Sequence, residues 1–166
     1  MTDQDEGVNP ADFRSALARY PSGVTIVTTR SETGTPYGFT ASSFAALSLD
    51  PPLVLVCLDR GADCCPVFMA AERFAVNIVT PEHADLAVRF ATKGADKFAH
   101  GGFEYDEERH PALPDAAAVL HCALRQVVSG GDHVILIGRV REARTGGGEP
   151  VTWYRGGFQR LGERAA

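Results

Sequence analysis

Thr40-Ala41-Ser42-Ser43 sets three hydroxyls around one small residue, inside the run from Gly38 to Arg60 that reads GFTASSFAALSLDPPLVLVCLDR. Small side chains let a ligand lie close to the backbone, and hydroxyls with exposed amides can hydrogen-bond it. A hairpin with a polar turn is the plain structural reading of the same four residues. The run continues through Ser48-Leu49-Asp50-Pro51-Pro52, which punctuates the chain before an unbroken apolar segment from Leu53 to Leu58. That segment ends on Asp59-Arg60, a charge pair at the rim of the expected core. The planar fork of Arg60 can bind phosphate oxygens bidentately, which makes it the candidate anion clamp. His133 follows Gly130-Gly131-Asp132; read alone, it is a turn histidine hydrogen-bonded to Asp132. Lys97, read alone, is a solvated surface charge, and Thr92-Lys93-Gly94 before it reads as an ordinary helix stop.

The elements that must position these groups are short. Asn9 can cap a helix with Pro10 at its first position, running through Phe13 and Leu17 to Tyr20, where Pro21-Ser22-Gly23 stops it. Residues 24–29 are β-branched and read as a strand, 32–36 as its turn, and 37–42 as the strand that pairs back. Residues 53–58 read as a buried strand. Asp63 is expected to cap a short helix through Ala71, and residues 74–79 form a further strand. Pro81 opens a helix over 82–92, in which Leu86, Ala87, Val88 and Phe90 are spaced for an amphipathic face. Residues 118–128 and 134–143 read as two long strands around the turn Ser129-Gly130-Gly131-Asp132. Residues 151–154 and 158–161 finish the set. Many short strands with turn signals and few helices predict an all-β barrel or sandwich. One domain over 9–161 is expected, with polar tails at 1–8 and 162–166.

Other chemistries find little support. The chain has 166 residues, a net charge of −5 and 45% hydrophobic content, which suits one domain with a sizeable core. An acidic balance argues against sequence-independent nucleic-acid binding, which needs a basic footprint. No run approaches the ~20 apolar residues of a membrane span. The acidic start, MTDQDEGVNP, lacks a basic and apolar leader, so cytoplasm is the expected location. Cys57 and Cys122 lie in apolar strands, and adjacent Cys64 and Cys65 lack zinc-ligand spacing, so no metal site or disulfide scaffold is expected. His83, His100, His110 and His121 sit apart as well, His83 as an exposed helix residue and His121 as a strand residue. No G-x-G-x-x-G, P-loop or G-x-S-x-G pattern is present.

The ordered string GFTASSF, SLDPP, Pro21-Ser22-Gly23-Val24, Phe74-Ala75-Val76-Asn77, Asp96-Lys97-Phe98, Gly131-Asp132-His133 and Tyr154 to Phe158 (YRGGF) resembles the flavin reductase-like family. The resemblance runs from about Phe13 to Leu161. It implies an FMN-binding split β-barrel and an NAD(P)H:flavin oxidoreductase that supplies reduced flavin to a partner monooxygenase. By that resemblance FAD or FMN would lie along Gly38, Thr40, Ala41, Ser42 and Ser43, with Leu58, Asp59, Arg60, Lys97 and Phe98 around it. His133 would order the nicotinamide of NADH (NADPH being possible) as the catalytic residue, with Tyr154 and Arg155 at the mouth of the cleft. The family also implies a homodimer with the cleft near its interface. The chemistry would belong to the cofactors, which accounts for the absence of an acid–base dyad. Relatives that hold flavin without turning over NAD(P)H are the alternative. A purely structural interaction domain leaves TASS and YRGGF unexplained.

Overall fold

The computed structural model describes residues 7–105 and 110–162. Helix α1, Pro10–Leu17, starts as its sequence dictates: the Asn9 side chain accepts from the Ala11 amide at 2.8 Å, and Pro10 needs no partner there. It stops short of Tyr20, because residues 18–20 tighten into turns, with the Tyr20 amide on the Leu17 carbonyl.

Ten strands follow. The main sheet is antiparallel and holds seven of them: β2 (Thr25–Arg30), β3 (Pro36–Ala41), β4 (Ala45–Ser48), β5 (Leu53–Asp59), β6 (Arg73–Ile78), β7 (Ala118–Gly130) and β8 (His133–Thr145). Their order across the sheet is β3-β2-β6-β7-β8-β5-β4. The first and last strands of this order are consecutive in sequence, joined only by Ser42 to Phe44. The sheet therefore curls until its two edges meet through the chain itself, without a hydrogen-bonded seam. The fold is all-β, and its barrel is split at that point.

A smaller sheet, β1 (Ser22–Gly23), β9 (Thr152–Tyr154) and β10 (Gly157–Gln159), is ordered β1-β9-β10. Between β9 and β10 the turn residues Arg155 and Gly156 both have positive φ, 50° and 80°. A two-residue hairpin demands that conformation to match strand twist, which explains Tyr154-Arg155-Gly156-Gly157 locally.

Two apolar cores result. One lies inside the curled sheet around Val27, Val56, Leu58, Phe68, Phe74 and Leu136; the other packs its outer face around Ile26, Val79, Phe90, Val119 and Val151. β5 alternates between buried and half-buried positions, so its unbroken apolar sequence serves both faces.

Two capping expectations are corrected. Helix α2, Cys65–Ala70, has Cys64 and not Asp63 at its N-cap, with no side-chain cap bond. The expected helix over 82–92 divides into a 3₁₀ turn, Pro81–His83, and helix α3, Ala84–Ala91. His83 is half-buried there, and its Nδ1 accepts from the Thr80 amide at 3.2 Å, closing a capping box in place of an exposed helix position. Burial lowers its pKa accordingly. Strand β4 has no counterpart among the expected strands; it is a run of four residues, Ala45-Ala46-Leu47-Ser48, and largely exposed. Among the described residues no helix is long and apolar enough to cross a membrane.

Candidate functional site

The split is held by side chains of the hydroxyl run. Ser43 Oγ accepts from the Cys57 amide at 3.0 Å and donates to the Cys57 carbonyl at 3.2 Å. One side chain thus satisfies a backbone pair of β5 beyond the reach of β4, which pairs only from Leu55 downward. Thr40 Oγ1 donates to the Ala87 carbonyl at 2.6 Å, tying β3 to α3. Ala41 is buried, and its carbonyl accepts from Thr25 Oγ1 at 2.9 Å. Ser42 is the exposed member of the run. Two of the three hydroxyls therefore hold the loop in place, and Ser42 with the local backbone faces outward.

Gly38 contributes by lacking a side chain. A Cβ there would stand 2.5 Å from Phe90 Cε1 and 2.9 Å from the Val27 carbonyl, so only glycine lets α3 seat Phe90 on β3. The freed carbonyl of Gly38 accepts from Lys97 Nζ at 3.2 Å. Phe98 packs edge-on to Phe90 at 5.1 Å and against Phe103 at 5.0 Å. Lys97 is thus placed by an aromatic cluster and not by a helix of its own.

At the rim of β5, Leu58 is fully buried and offers only its backbone. Asp59 Oδ1 accepts from the Gly61 amide at 2.7 Å, and Asp59 lies opposite His133 in the β5–β8 register. Arg60 grips the β7–β8 turn: its amide donates to Asp132 O at 3.0 Å, Nη2 to Ser129 Oγ at 2.8 Å and Nε to Gly131 O at 3.3 Å. The Cys64 thiol is pushed up to about 11 by burial, against the pull of Lys97. Cys65 is raised by burial too, opposed by Arg60.

His133 Nδ1 lies 2.7 Å from Asp132 Oδ1. The hydrogen bond from His133 holds the Asp132 carboxyl below its ordinary value. A carboxylate can only accept, so Nδ1 carries the proton, which leaves Nε2 as the acceptor nitrogen of the ring.

The structure joins Gly38, Thr40, Lys97 and Phe98 through α3. It joins Asp59, Arg60 and His133 through the β7–β8 turn, and Ser43 is linked to the same β5 end through Cys57. Tyr154 and Arg155 stand on the smaller sheet, where the Arg155 guanidinium lies 5.4 Å from the Tyr154 ring centroid.

Lys93 is a residue that sequence reasoning passed over as part of a helix stop. Its Nζ would be 3.6 Å from a Cβ on Gly61, beside the Asp59 carboxylate. The stop itself is real, Gly94 having a φ of +72°, but it also delivers a cation to the rim. The four cysteines are free. Among the described residues no cluster of three or more His, Cys, Asp or Glu could hold a metal ion.

Residues 17–162 match the family described as the flavin reductase like domain. The chain is 42% identical over 165 residues to the NADH:riboflavin 5′-phosphate oxidoreductase of Streptomyces pristinaespiralis, covering 95% of this chain and 94% of the relative. It is 48% identical over 129 residues to the actinorhodin polyketide dimerase of Streptomyces coelicolor, covering 78% and 73%. Among solved structures, the NADH:FAD oxidoreductase SgcE6 of Streptomyces globisporus C-1027, in complex with NAD and FAD fragments, superposes with a TM-score of 0.87 at 34% identity, covering 97% and 99%. Further relatives are named as reductase components of monooxygenases. The chain spans about half the length of some longer relatives.

Proposed function

The chain belongs to the flavin reductase-like domain family, and from that premise we propose that it is an NAD(P)H:flavin oxidoreductase that supplies reduced flavin to a partner monooxygenase. The observation that supports this reading is that Ser43 of the TASS loop, Arg60 and His133 are all tied to the same end of β5, with Lys97 on the Gly38 carbonyl of β3. The donor set suits a flavin nucleotide. Arg60, Lys93 and Lys97 supply cations for a phosphate or pyrophosphate, while Ser42 and exposed backbone supply hydrogen bonds for a ring edge. Held by these residues, a flavin would supply the acceptor for a hydride from reduced nicotinamide.

The residues of the chain bind and orient. Thr40 and Ser43 hold the loop rigid, so that little ordering is left for binding. Asp132 fixes the His133 tautomer, and His133 aligns the nicotinamide from the side of the β7–β8 turn. Tyr154 and Arg155 close the mouth of the cleft. No proton from the protein is needed in the hydride step. Reduced nicotinamide is an intracellular reductant, which places the reaction in the cytoplasm.

NADH is favoured over NADPH because relatives are NADH-dependent oxidoreductases, one of riboflavin 5′-phosphate and one of FAD, so FMN and FAD are both candidate flavins. The test is a grid of NADH and NADPH against FMN and FAD, following loss of the reduced-nicotinamide absorbance. Flavin-dependent oxidation, faster with NADH, is expected. Flavin binding without oxidation of either nucleotide would mark a flavin carrier.

Arg60→Ala should weaken flavin binding. A charge-assisted contact is worth ~1.5–3 kcal/mol when desolvated, but Arg60 is exposed and solvent reduces this to about 1 kcal/mol, roughly fivefold in affinity. Fluorescence titration with wild-type affinity would move the phosphate contact to Lys97.

The chain also works as a homodimer. Helix α1 buries none of its side chains, and Phe13 and Leu17 are 52% and 55% exposed. An isolated helix of this length is marginal in water, so a second copy is the natural cover. Light scattering should return twice the 17.7 kDa chain mass; a monomer mass at micromolar concentration would overturn this.

A further inference from the structure

We infer that a cavity on the outer face of the main sheet, at Arg73, binds a small organic oxyanion of the phosphate-monoester class. This cavity has a volume of about 430 Å³, and Arg73, His110, His121, Arg141 and Glu142 line it. It adjoins a hollow of about 1010 Å³ that shares Arg73 and His110 and adds Arg30. None of the residues assigned to flavin or nicotinamide lines either space. His121 is separated from the His133 turn by most of the length of β7, roughly 30 Å of strand. The inference is therefore independent of the proposed redox function.

Strand register builds the cavity. Arg73 pairs with Ala123 across β6 and β7, and His121 pairs with Glu142 across β7 and β8. The next pair is Cys122 with Val140, so Arg141 is an extra residue on β8, a bulge. Bulges re-aim a side chain, and they gather near functional sites. Here the bulge sets Arg141 on the same lining as Arg73, while Arg30 lines the adjoining hollow. The Arg30 guanidinium is held over the Tyr105 ring, 5.3 Å from its centroid.

Among the described residues two buried polar side-chain atoms are without a partner: Arg30 Nε and His110 Nδ1. Buried polar atoms are satisfied in the great majority of cases, so each exception calls for a cause. Arg30 lines the outer hollow and His110 lines both spaces, so the polar groups here are not fully paired within the described chain. The local field suits an oxyanion: burial and the positive charges of Arg30, His121 and Arg73 push the His110 pKa down to about 4. Glu142 is the carboxylate on the inner lining, and Glu32 and Glu72 border the outer hollow.

Guanidinium forks match phosphate oxygens. The volume exceeds that of a bare ion and lies in the range of small-molecule sites. Cys122 and Ala123 give the organic part an apolar wall.

Calorimetric titration at constant ionic strength tests this, with inorganic phosphate, phenyl phosphate and benzoate as probes. Saturable binding is expected, phenyl phosphate tightest. Arg73→Ala and Arg141→Ala should each weaken it at least tenfold, and Arg73→Lys should weaken it less. Flavin reduction should be unchanged in all three variants, which also certifies their fold. If Arg73→Ala fails to fold, exposed Arg141 carries the comparison. Non-saturable binding, or equal binding by wild type and Arg141→Ala, would overturn the site by showing that the chain's own carboxylates satisfy these arginines. Benzoate binding tighter than phenyl phosphate would overturn the phosphate class.

Discussion

His133→Ala is expected to leave flavin affinity nearly intact while lowering kcat/KM for NADH by about ten- to a hundredfold. The magnitude follows from geometry, since a misplacement of ~1 Å between reacting groups costs about a hundredfold. His133 opens β8 opposite Asp59, and its ring is held through Nδ1 by Asp132. The cations proposed for the flavin phosphate lie on other elements, Arg60 after β5 and Lys97 after α3, so flavin binding is expected to survive the change. A purely structural turn histidine gives the opposite pattern: a lower melting temperature with unchanged reduction rates in the folded fraction. Stopped-flow reduction across a range of NADH concentrations separates the two. Wild-type rate and wild-type saturation in the variant would remove His133 from the reaction.

The largest effect on stability is expected at Phe90. Its ring is 1% exposed, fills the space left by Gly38, and meets both Phe98 and Phe103. Phe90→Ala should cost about 3–5 kcal/mol, from lost burial plus an unfilled cavity. The same change reaches function, because α3 and the Phe98 cluster place Lys93 and Lys97. Flavin affinity should fall even at temperatures where the variant remains folded. Denaturant unfolding with a loss below 1 kcal/mol would show that the Gly38–Phe90 contact does not anchor α3. An intact flavin affinity in the folded variant would show that the lysines are placed by something else.

Local signals in the sequence read well where one short segment decides the outcome. Asn9-Pro10 marks the start of α1, the β-branched run after Val24 forms β2, and Ser129 to Asp132 turns the chain between β7 and β8. The family-like strings then arranged these strands into a split barrel. Where distant segments decide, the reading fell short. Strand β4 is only four residues long and shows no alternation of buried and exposed positions, and only pairing with β5 makes it a strand. Cys64 takes the cap that Asp63 was expected to fill, since Ala62 and Cys65 close the turn through backbone bonds.

Within the site, Thr40 and Ser43 read as ligand contacts, but their hydroxyls hold Ala87 and Cys57. Arg60 reads as a clamp at the end of a strand, and its tether to Ser129 crosses 69 residues of chain that no local pattern reports. Lys93 reads as part of a helix stop because its proximity to Gly61 is created only by packing.

Anaerobic mixing of the protein and flavin with NADH tests the central claim most directly. If the chain is a flavin reductase, the flavin's visible absorbance bleaches in step with loss of the reduced-nicotinamide band, one flavin per nucleotide. The rate should saturate with NADH, and admitting oxygen should restore the oxidised spectrum. Flavin that binds, as seen by its fluorescence, yet keeps its oxidised spectrum at saturating NADH and NADPH would contradict a reductase and leave a flavin-binding protein.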